Sequence, residues 1–324
     1  MTISRRNFCA ASAAALPWLV HAQQGFPSRP IKLVVAGSPG ASTAAVARAL
    51  GVGMSERLGV PVVVDPKPGA NGVVAGVIVT KSPADGYTLL VTPSDSQVLG
   101  PLVTKDMPYV PEKDFTPVAK VAELNVMFAA AAKVPVNTMQ ELVALAKAQP
   151  GKLTYGSSGM GGVHHLTVEM LRQRAGLDML HVPYKGGAEV AQALAAGEID
   201  LFAGSPLLLA PLAKAGKIKA LAIAKDTRNS ALPDMPTMAE AGFPDFVSSS
   251  WYGAFAPPNM PPDVLAKLSD AIIATVNSPE YGQRMAASSV DPSPIGHAQF
   301  VKYVAAENVH WRDLLERSGI KTVR

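Results

Sequence analysis

Ile31 to Leu58, IKLVVAGSPGASTAAVARALGVGMSERL, is the stretch whose reading decides the fold. The apolar run from Ile31 to Ala36 predicts a buried strand, Gly37-Ser38-Pro39-Gly40 a tight turn, and Ser42 onward an amphipathic helix. A strand, a glycine turn and a helix N-terminus in that order aim unpaired backbone N–H groups, and the positive end of a helix dipole, at whatever sits above the sheet. Anions bind readily at such a junction, although the same pattern also occurs as a plain connection in an α/β fold. What favours a binding role is a second turn of the same design, Gly156-Ser157-Ser158-Gly159-Met160-Gly161-Gly162, in the other half of the chain.

Outward from the first junction the chain alternates strands and helices. Val62 to Val64 and Tyr87 to Val91 read as strands with a small-residue helix between them, and the second runs into the polar loop Thr92-Pro93-Ser94-Asp95-Ser96. Thr116 to Val121 and Val126 to Ala130 follow as strands. Thr138 to Ala148 is a helix with Asn137 as its candidate N-cap, Leu153 to Tyr155 a strand feeding the second turn, and His165 to Ala175 the helix after it. Leu180 to Val182, the turn Tyr184-Lys185-Gly186-Gly187, a helix to Ala196, a strand Ile199 to Ala203 ending in Gly204-Ser205-Pro206, and Ile218 to Ala224 complete this group. After a proline-punctuated connection, Ser250 to Pro257 reads as a strand returning to the first group, with helices at Pro262 to Asn277, Pro279 to Ser288 and His297 to Arg317. Two α/β groups whose strands end in Gly/Ser turns predict a ligand held between two domains, each a mostly parallel sheet flanked by helices.

Composition agrees with a folded protein of that size. The 324 residues are 48% hydrophobic and 17% charged, which excludes a disordered or nucleic-acid-coating chain. Arg5 and Arg6, followed by an apolar run from Phe8 to Val20 too short to span a bilayer and by Val20-His21-Ala22, predict a signal peptide over residues 1–22. Ser4-Arg5-Arg6-Asn7-Phe8 is similar to the twin-arginine export signal, with ordinary secretory export as the other route. Its removal leaves 27 basic against 25 acidic side chains and no basic stripe, so no nucleic-acid partner is expected. The single cysteine, Cys9, lies inside that segment. The mature chain therefore has no disulfide, thiol nucleophile or thiolate metal site to offer.

Enzymatic motifs fail on spacing. A nucleophile elbow centred on Ser158 needs glycine where Met160 stands, a dinucleotide fingerprint needs glycine where His164 stands, and Gly37 to Thr43 lacks the Gly-Lys pair of a phosphate loop. His164 and His165 point about 100° apart on a helix and cannot chelate one ion, while His165 with Glu169 makes only a two-ligand site, so no metal or cofactor is expected. His165, Trp251 and Tyr252 read as packing, core or hinge residues.

Several strings carry a resemblance in order: Arg29-Pro30-Ile31-Lys32-Leu33-Val34-Val35, Pro68-Gly69-Ala70, Asp85-Gly86-Tyr87-Thr88-Leu89-Leu90, Asp114-Phe115-Thr116-Pro117-Val118-Ala119, His181-Val182-Pro183-Tyr184-Lys185-Gly186, and Leu232-Pro233-Asp234-Met235-Pro236-Thr237. Together they resemble the periplasmic solute receptors of the tripartite tricarboxylate transporter family, also called Bug proteins. The resemblance implies a two-lobed periplasmic-binding-protein fold of type II character, whose chain crosses between lobes twice: residues 23–127 with 249–324 as lobe 1, and 128–248 as lobe 2. It also implies a carboxylate in the cleft, closure of the lobes around it, and delivery by a monomer in the periplasm to membrane permease subunits. The family's first loop usually reads Pro-Gly-Gly with an Asp three positions later; here Pro39-Gly40-Ala41 and Ala44 stand instead.

Candidate ligand-binding residues follow from the four turns. They are Ser38, Gly40, Ala41, Ser42 and Thr43 in the first, Ser94 and Asp95 after the next strand, Ser157, Ser158, Gly159 and His164 in the second anion-type turn, Gly204 and Ser205 near the end of lobe 2, and Tyr184 beside a strand end. The loops Gly37 to Thr43, Thr92 to Gln97, Gly156 to Gly162 and Gly204 to Pro206 contain no Lys or Arg and one acid, Asp95, which predicts poor binding of a compact trianion. A hydrolase or isomerase using Ser157, Ser158 or His164, and a receptor feeding a sensor kinase, are the alternative readings.

Overall fold

The computed structural model describes residues 25–69, 72–184, 186–225, 228, 232–286 and 290–317. The export segment expected over residues 1–22, with Cys9, lies outside them. The chain opens with β1 (Ile31–Val35), α1 (Ser42–Leu58), β2 (Val62–Pro66), α2 (Val73–Thr80) and β3 (Thr88–Pro93). A π turn over Asp95–Leu99, then α3 (Gly100–Val103) and α4 (Pro111–Asp114), leads into β4 (Thr116–Asn125). A second group follows: β5 (Met127–Ala131), α5 (Met139–Ala148), β6 (Thr154–Ser157), α6 (Val163–Ala175), β7 (Leu180–Pro183), α7 (Gly187–Ala196), β8 (Leu201–Gly204), α8 (Pro206–Lys214) and β9 (Ile218–Ile223). The chain ends with β10 (Ser249–Ala256), α9 (Pro262–Val276), α10 (Pro279–Ala286), β11 (Asp291–Gly296) and α11 (His297–Arg317).

Two sheets result, ordered β11-β4-β10-β3-β1-β2 and β7-β6-β8-β5-β9. The βα repetition predicts mostly parallel pairing, but both sheets are mixed. In the first, β1 pairs parallel with β2 and β3, whereas β10 runs antiparallel to β3 and β4, and β11 to β4. In the second, β6 is parallel to β7 and β8, and β5 is antiparallel to β8 and β9. The reason is the crossing: a chain that leaves one sheet along β4 and comes back along β10 must run the opposite way beside it.

Burial follows the sequence pattern. In β1 the residues Ile31, Leu33, Val34 and Val35 are buried and only Lys32 reaches solvent, as a strand covered on both faces requires. All eight residues of β10 are buried at the centre of the first sheet. β11 carries Pro292 and Pro294, which no central strand tolerates, and it lies on the sheet edge. In α5 the cap is Thr138, one residue after the expected Asn137: its hydroxyl accepts from the Glu141 N–H at 3.1 Å, while the Glu141 carboxylate reaches back to accept from the N–H of Asn137, just before the cap, at 2.5 Å.

The passage between the sheets is short. Val126 alone separates β4 from β5, its carbonyl accepts from Ala224 N–H at 2.8 Å, and the Ala224 carbonyl accepts from Ser248 N–H at 3.0 Å just before β10. Both crossings are thus bonded to a third strand end, and a continuous apolar core runs through them from Val34 and Leu90 to Phe128 and Phe202.

α11 closes the back of β10 with an aromatic cage. Trp251, Phe255 and Phe300 surround Gly253, with Trp251 to Phe300 ring centroids 5.3 Å apart and Phe255 to Phe300 5.4 Å. A β-carbon at Gly253 would lie 2.7 Å from Phe300 and 2.9 Å from Phe255. Gly253→Ala is therefore expected to destabilise the protein by about 1–3 kcal/mol through overpacking. Thermal unfolding of the variant at the wild-type temperature would show that α11 yields freely.

Candidate functional site

A cavity of about 690 Å³ lies between the two sheets. One wall comes from the first group: Ser38 and Thr43 at the start of α1, Asp95 and Ser96 in the π turn, and Ser250 and Tyr252 on β10. The facing wall is the second anion-type turn, with Ser158, Gly159, Met160, Gly161, Gly162, Val163 and His164. Val103 of α3 meets Gly161 across the gap, and a β-carbon on Gly161, whose φ is +76°, would stand 2.9 Å from it. Glycine is needed there for both reasons.

Both helices open on the cavity without a side-chain cap of their own. Ala41 is the N-cap of α1 and Gly162 that of α6, and neither residue can supply a capping oxygen. At α6 the missing oxygen comes from the opposite wall: Asp95 Oδ1 accepts from Val163 N–H at 3.2 Å, while its Oδ2 accepts from the Ser250 hydroxyl at 2.8 Å. Tyr252, beside Ser250 on the same strand face, has its phenol hydrogen-bonded to Ser42 and Thr43 and pushed up to about 12, by burial first and by the Asp95 carboxylate second. Ser158 Oγ lies 2.7 Å from His164 Nδ1, and the His164 ring stands edge-on to Phe202 at 5.3 Å. Burial pushes the His164 pKa down, against the pull of Asp95, so the imidazole is neutral near pH 7.

Under the second turn lies a buried stack. His165 and His181 are parallel with centroids 4.0 Å apart, and Tyr155 stacks on His181 at 5.0 Å. His165 Nδ1 accepts from Gly161 N–H at 3.0 Å, and His181 Nε2 lies 2.7 Å from Ser157 Oγ. These imidazoles hold the turn from below. Glu169 accepts from the Tyr155 hydroxyl and from Arg172 Nη1 at 2.5 Å, which leaves the stack neutral at its centre with one paired acid at its edge. Burial pushes His165 down to about 4, with His181 adding to the effect and Glu169 opposing it.

The expected site residues separate into two sets. Ser38, Thr43, Asp95, Ser158, Gly159 and His164 line the cavity. Gly40 is exposed on the outer turn, Ala41 is backbone cap only, and Ser42 turns to Tyr252. Ser94 is buried and accepts from Trp251 N–H at 3.3 Å, and Ser157 points to His181. Tyr184 packs by Gly156 outside the cavity, and Ser205, after Gly204, caps α8 by accepting from Leu207 N–H at 3.3 Å. Ser96, Ser250 and Tyr252 were not among the expected residues. The two on β10 were signalled by period-2 alternation, which puts Ser250 and Tyr252 on one face and Trp251 on the other. No Lys or Arg lines the cavity among the described residues, and no group of three or more metal-ligating side chains occurs among them.

Comparison with known proteins matches one family model over most of the chain. The model of the tripartite tricarboxylate transporter family receptor matches residues 46–320. The solved structure of R. palustris Rpa4515 with adipate is 31% identical, covers 91% of this chain and 99% of its own, and superposes with a TM-score of 0.79. MatC from Rhodopseudomonas palustris with bound malate is 28% identical over 90% of this chain and 100% of its own, TM-score 0.72. The periplasmic binding protein BugD is 29% identical over 91% of this chain and 99% of its own, TM-score 0.74.

The histidine stack makes stability depend on pH. His165 is held neutral in the fold, with a pKa of about 4 against 6.5 for the free side chain, so its contribution is complete above pH 6.5 and is lost as pH falls toward 4. The loss is on the order of 1–3 kcal/mol. His165→Asn, which keeps an acceptor for Gly161 N–H and cannot titrate, should flatten the melting temperature between those pH values; a slope equal to wild type would remove His165 as its source.

Proposed function

The chain belongs to the tripartite tricarboxylate transporter family of receptors, and on that premise we propose that its cleft captures a small carboxylate for delivery to the membrane permease subunits of such a transporter. It is a solute-binding receptor of the two-lobed type, and the family's members are receptors, not enzymes. The observation that carries the ligand class is the N-terminus of α1, which opens on the cavity with no side-chain cap, with the hydroxyl of Thr43 beside it and that of Ser158 on the facing wall. Backbone N–H groups and hydroxyls solvate one carboxylate well without a cation. Adipate in one relative and malate in another support the same chemistry.

The lobes close on this ligand about the two crossings at Val126 and Ser248, because only a closed cleft lets one ligand meet both walls. The receptor works as a monomer in the periplasm. The export-like segment at residues 1–22 supports that location, and no helix among the described residues is long and apolar enough to cross a membrane.

Ser158→Ala and Thr43→Ala should each weaken carboxylate binding by roughly ten- to a hundredfold, the equivalent of one lost charge-assisted hydrogen bond of about 1.5–3 kcal/mol, with little change in folding. Calorimetry showing wild-type affinity in both would place the carboxylate elsewhere. With no lining cation among the described residues, a trianion would be buried unpaired. In a thermal-shift panel at matched concentration citrate is therefore expected to stabilise less than mono- and dicarboxylates, and the largest shift from citrate would refute the charge argument.

A further inference from the structure

Asp95 occupies an unusual position. It opens the π turn that follows β3, a turn closed by the bond from Gly100 N–H to the Asp95 carbonyl, and single π turns inside helices recur at functional sites. From there its carboxylate reaches across the cavity to cap a helix that belongs to the other wall, and Ser250 holds its second oxygen. His164 and Tyr252 both feel its charge, so it stands between the second turn and the β10 face rather than at the rim. One of the cavity's two helix N-termini is thus already taken by an anion that is part of the chain. The N-terminus of α1, capped by Ala41, has no such occupant among the described residues.

We propose that Asp95 is the specificity-determining residue of the cleft: it selects carboxylates that carry a hydrogen-bond donor, best an ammonium and next a hydroxyl, beside or opposite the bound carboxylate. This rests on the carboxylate reading above. A ligand carboxylate seated at α1 leaves the rest of the molecule against Asp95, and a second bare carboxylate there would share a small site with a like charge, which costs one of them its ionised form. A donor removes the conflict, because Asp95 already engages one N–H and one O–H and has lone pairs left to accept from a third group. Selection then works by exclusion as much as by attraction: the resident charge penalises every ligand that cannot answer it. The other role open to Asp95, capping α6 alone, predicts no dependence on the ligand's substituent.

Two series isolate that substituent. Succinate, malate and aspartate share a four-carbon diacid skeleton carrying no donor, a hydroxyl and an ammonium; adipate, 2-hydroxyadipate and 2-aminoadipate repeat the set on six carbons. For wild type, calorimetry should rank ammonium above hydroxyl above unsubstituted within whichever series fits the cavity, with at least about tenfold between the ends. Asp95→Asn keeps the side chain's shape and an acceptor for Val163 N–H but removes the charge. It should weaken the ammonium ligand and strengthen the unsubstituted diacid, so that the tenfold span collapses or inverts. Asp95→Ser, which removes the carboxylate altogether, serves if the first variant misfolds and should give the same collapse. A wild-type ranking that is flat, or one unchanged in both variants, would overturn the assignment to Asp95 while leaving the receptor reading intact. No binding of any probe to wild type or variant would overturn the carboxylate reading, and the role of Asp95 with it.

Discussion

The structure depends on carrying a chain twice between two sheets without leaving a buried backbone group unpaired. Unpaired N–H and C=O groups at that depth would each cost as much as a lost hydrogen bond, so the crossings cannot be loose loops. The solution is to keep them in strand pairing: Val126 to Ala224 to Ser248 forms a ladder joining the end of one sheet to the start of the other. The mixed sheets follow from this, because β4 pairs antiparallel with β10 in one sheet and β5 pairs antiparallel with β9 in the other. So does the position of the cavity, which opens where the two sheets part and where the N-termini of α1 and α6 point.

Electrostatics divides the cavity from its support. The wall facing a ligand offers dipoles and hydroxyls, one carboxylate and one neutral imidazole, while the charged pairs lie elsewhere: Glu169 with Arg172 behind the second turn, and Lys225 with Asp291 beside the crossing at 3.2 Å. Solvating an anion with fixed backbone N–H groups keeps their direction constant as the ligand comes and goes. The histidine stack serves that end, since two neutral imidazoles can press together at 4.0 Å where two imidazolium rings would repel. A turn made of Gly156 to Gly162 has little stiffness of its own, and it takes its shape from Ser157 on His181 and Gly161 on His165.

Much of this was legible in the sequence. The strand, turn and helix at Ile31 to Leu58 fall where hydrophobic periodicity and the glycine turn put them, and α9 and α11 end within one residue of the expected bounds. The two Gly/Ser turns do face each other across the cavity. Three features escaped. β11 falls in a stretch between two expected helices to which the sequence assigned no element, and it forms a strand only because an edge needs no N–H from Pro292 or Pro294. The stretch after β3 reads as a polar loop, but Asp95–Leu99 winds into a π turn, for which five residues carry no local signature. Ser94, Ser157 and Ser205 have the residue type of ligand contacts, yet each spends its hydroxyl on its own fold, a choice made by which way each backbone enters its turn.

Both described indoles, Trp251 on β10 and Trp311 on α11, donate to the same Glu307 oxygen, at 3.1 and 3.0 Å. Trp251 lies between Ser250 and Tyr252, which line the cavity, and three residues beyond the crossing at Ser248. The indole emission of the described residues therefore comes from two rings bonded to a single carboxylate behind β10, one peptide away from the cavity wall and on its opposite face. A twist of β10 that turns Tyr252 also turns Trp251 against Glu307, so indole emission reads out any such twist without a label.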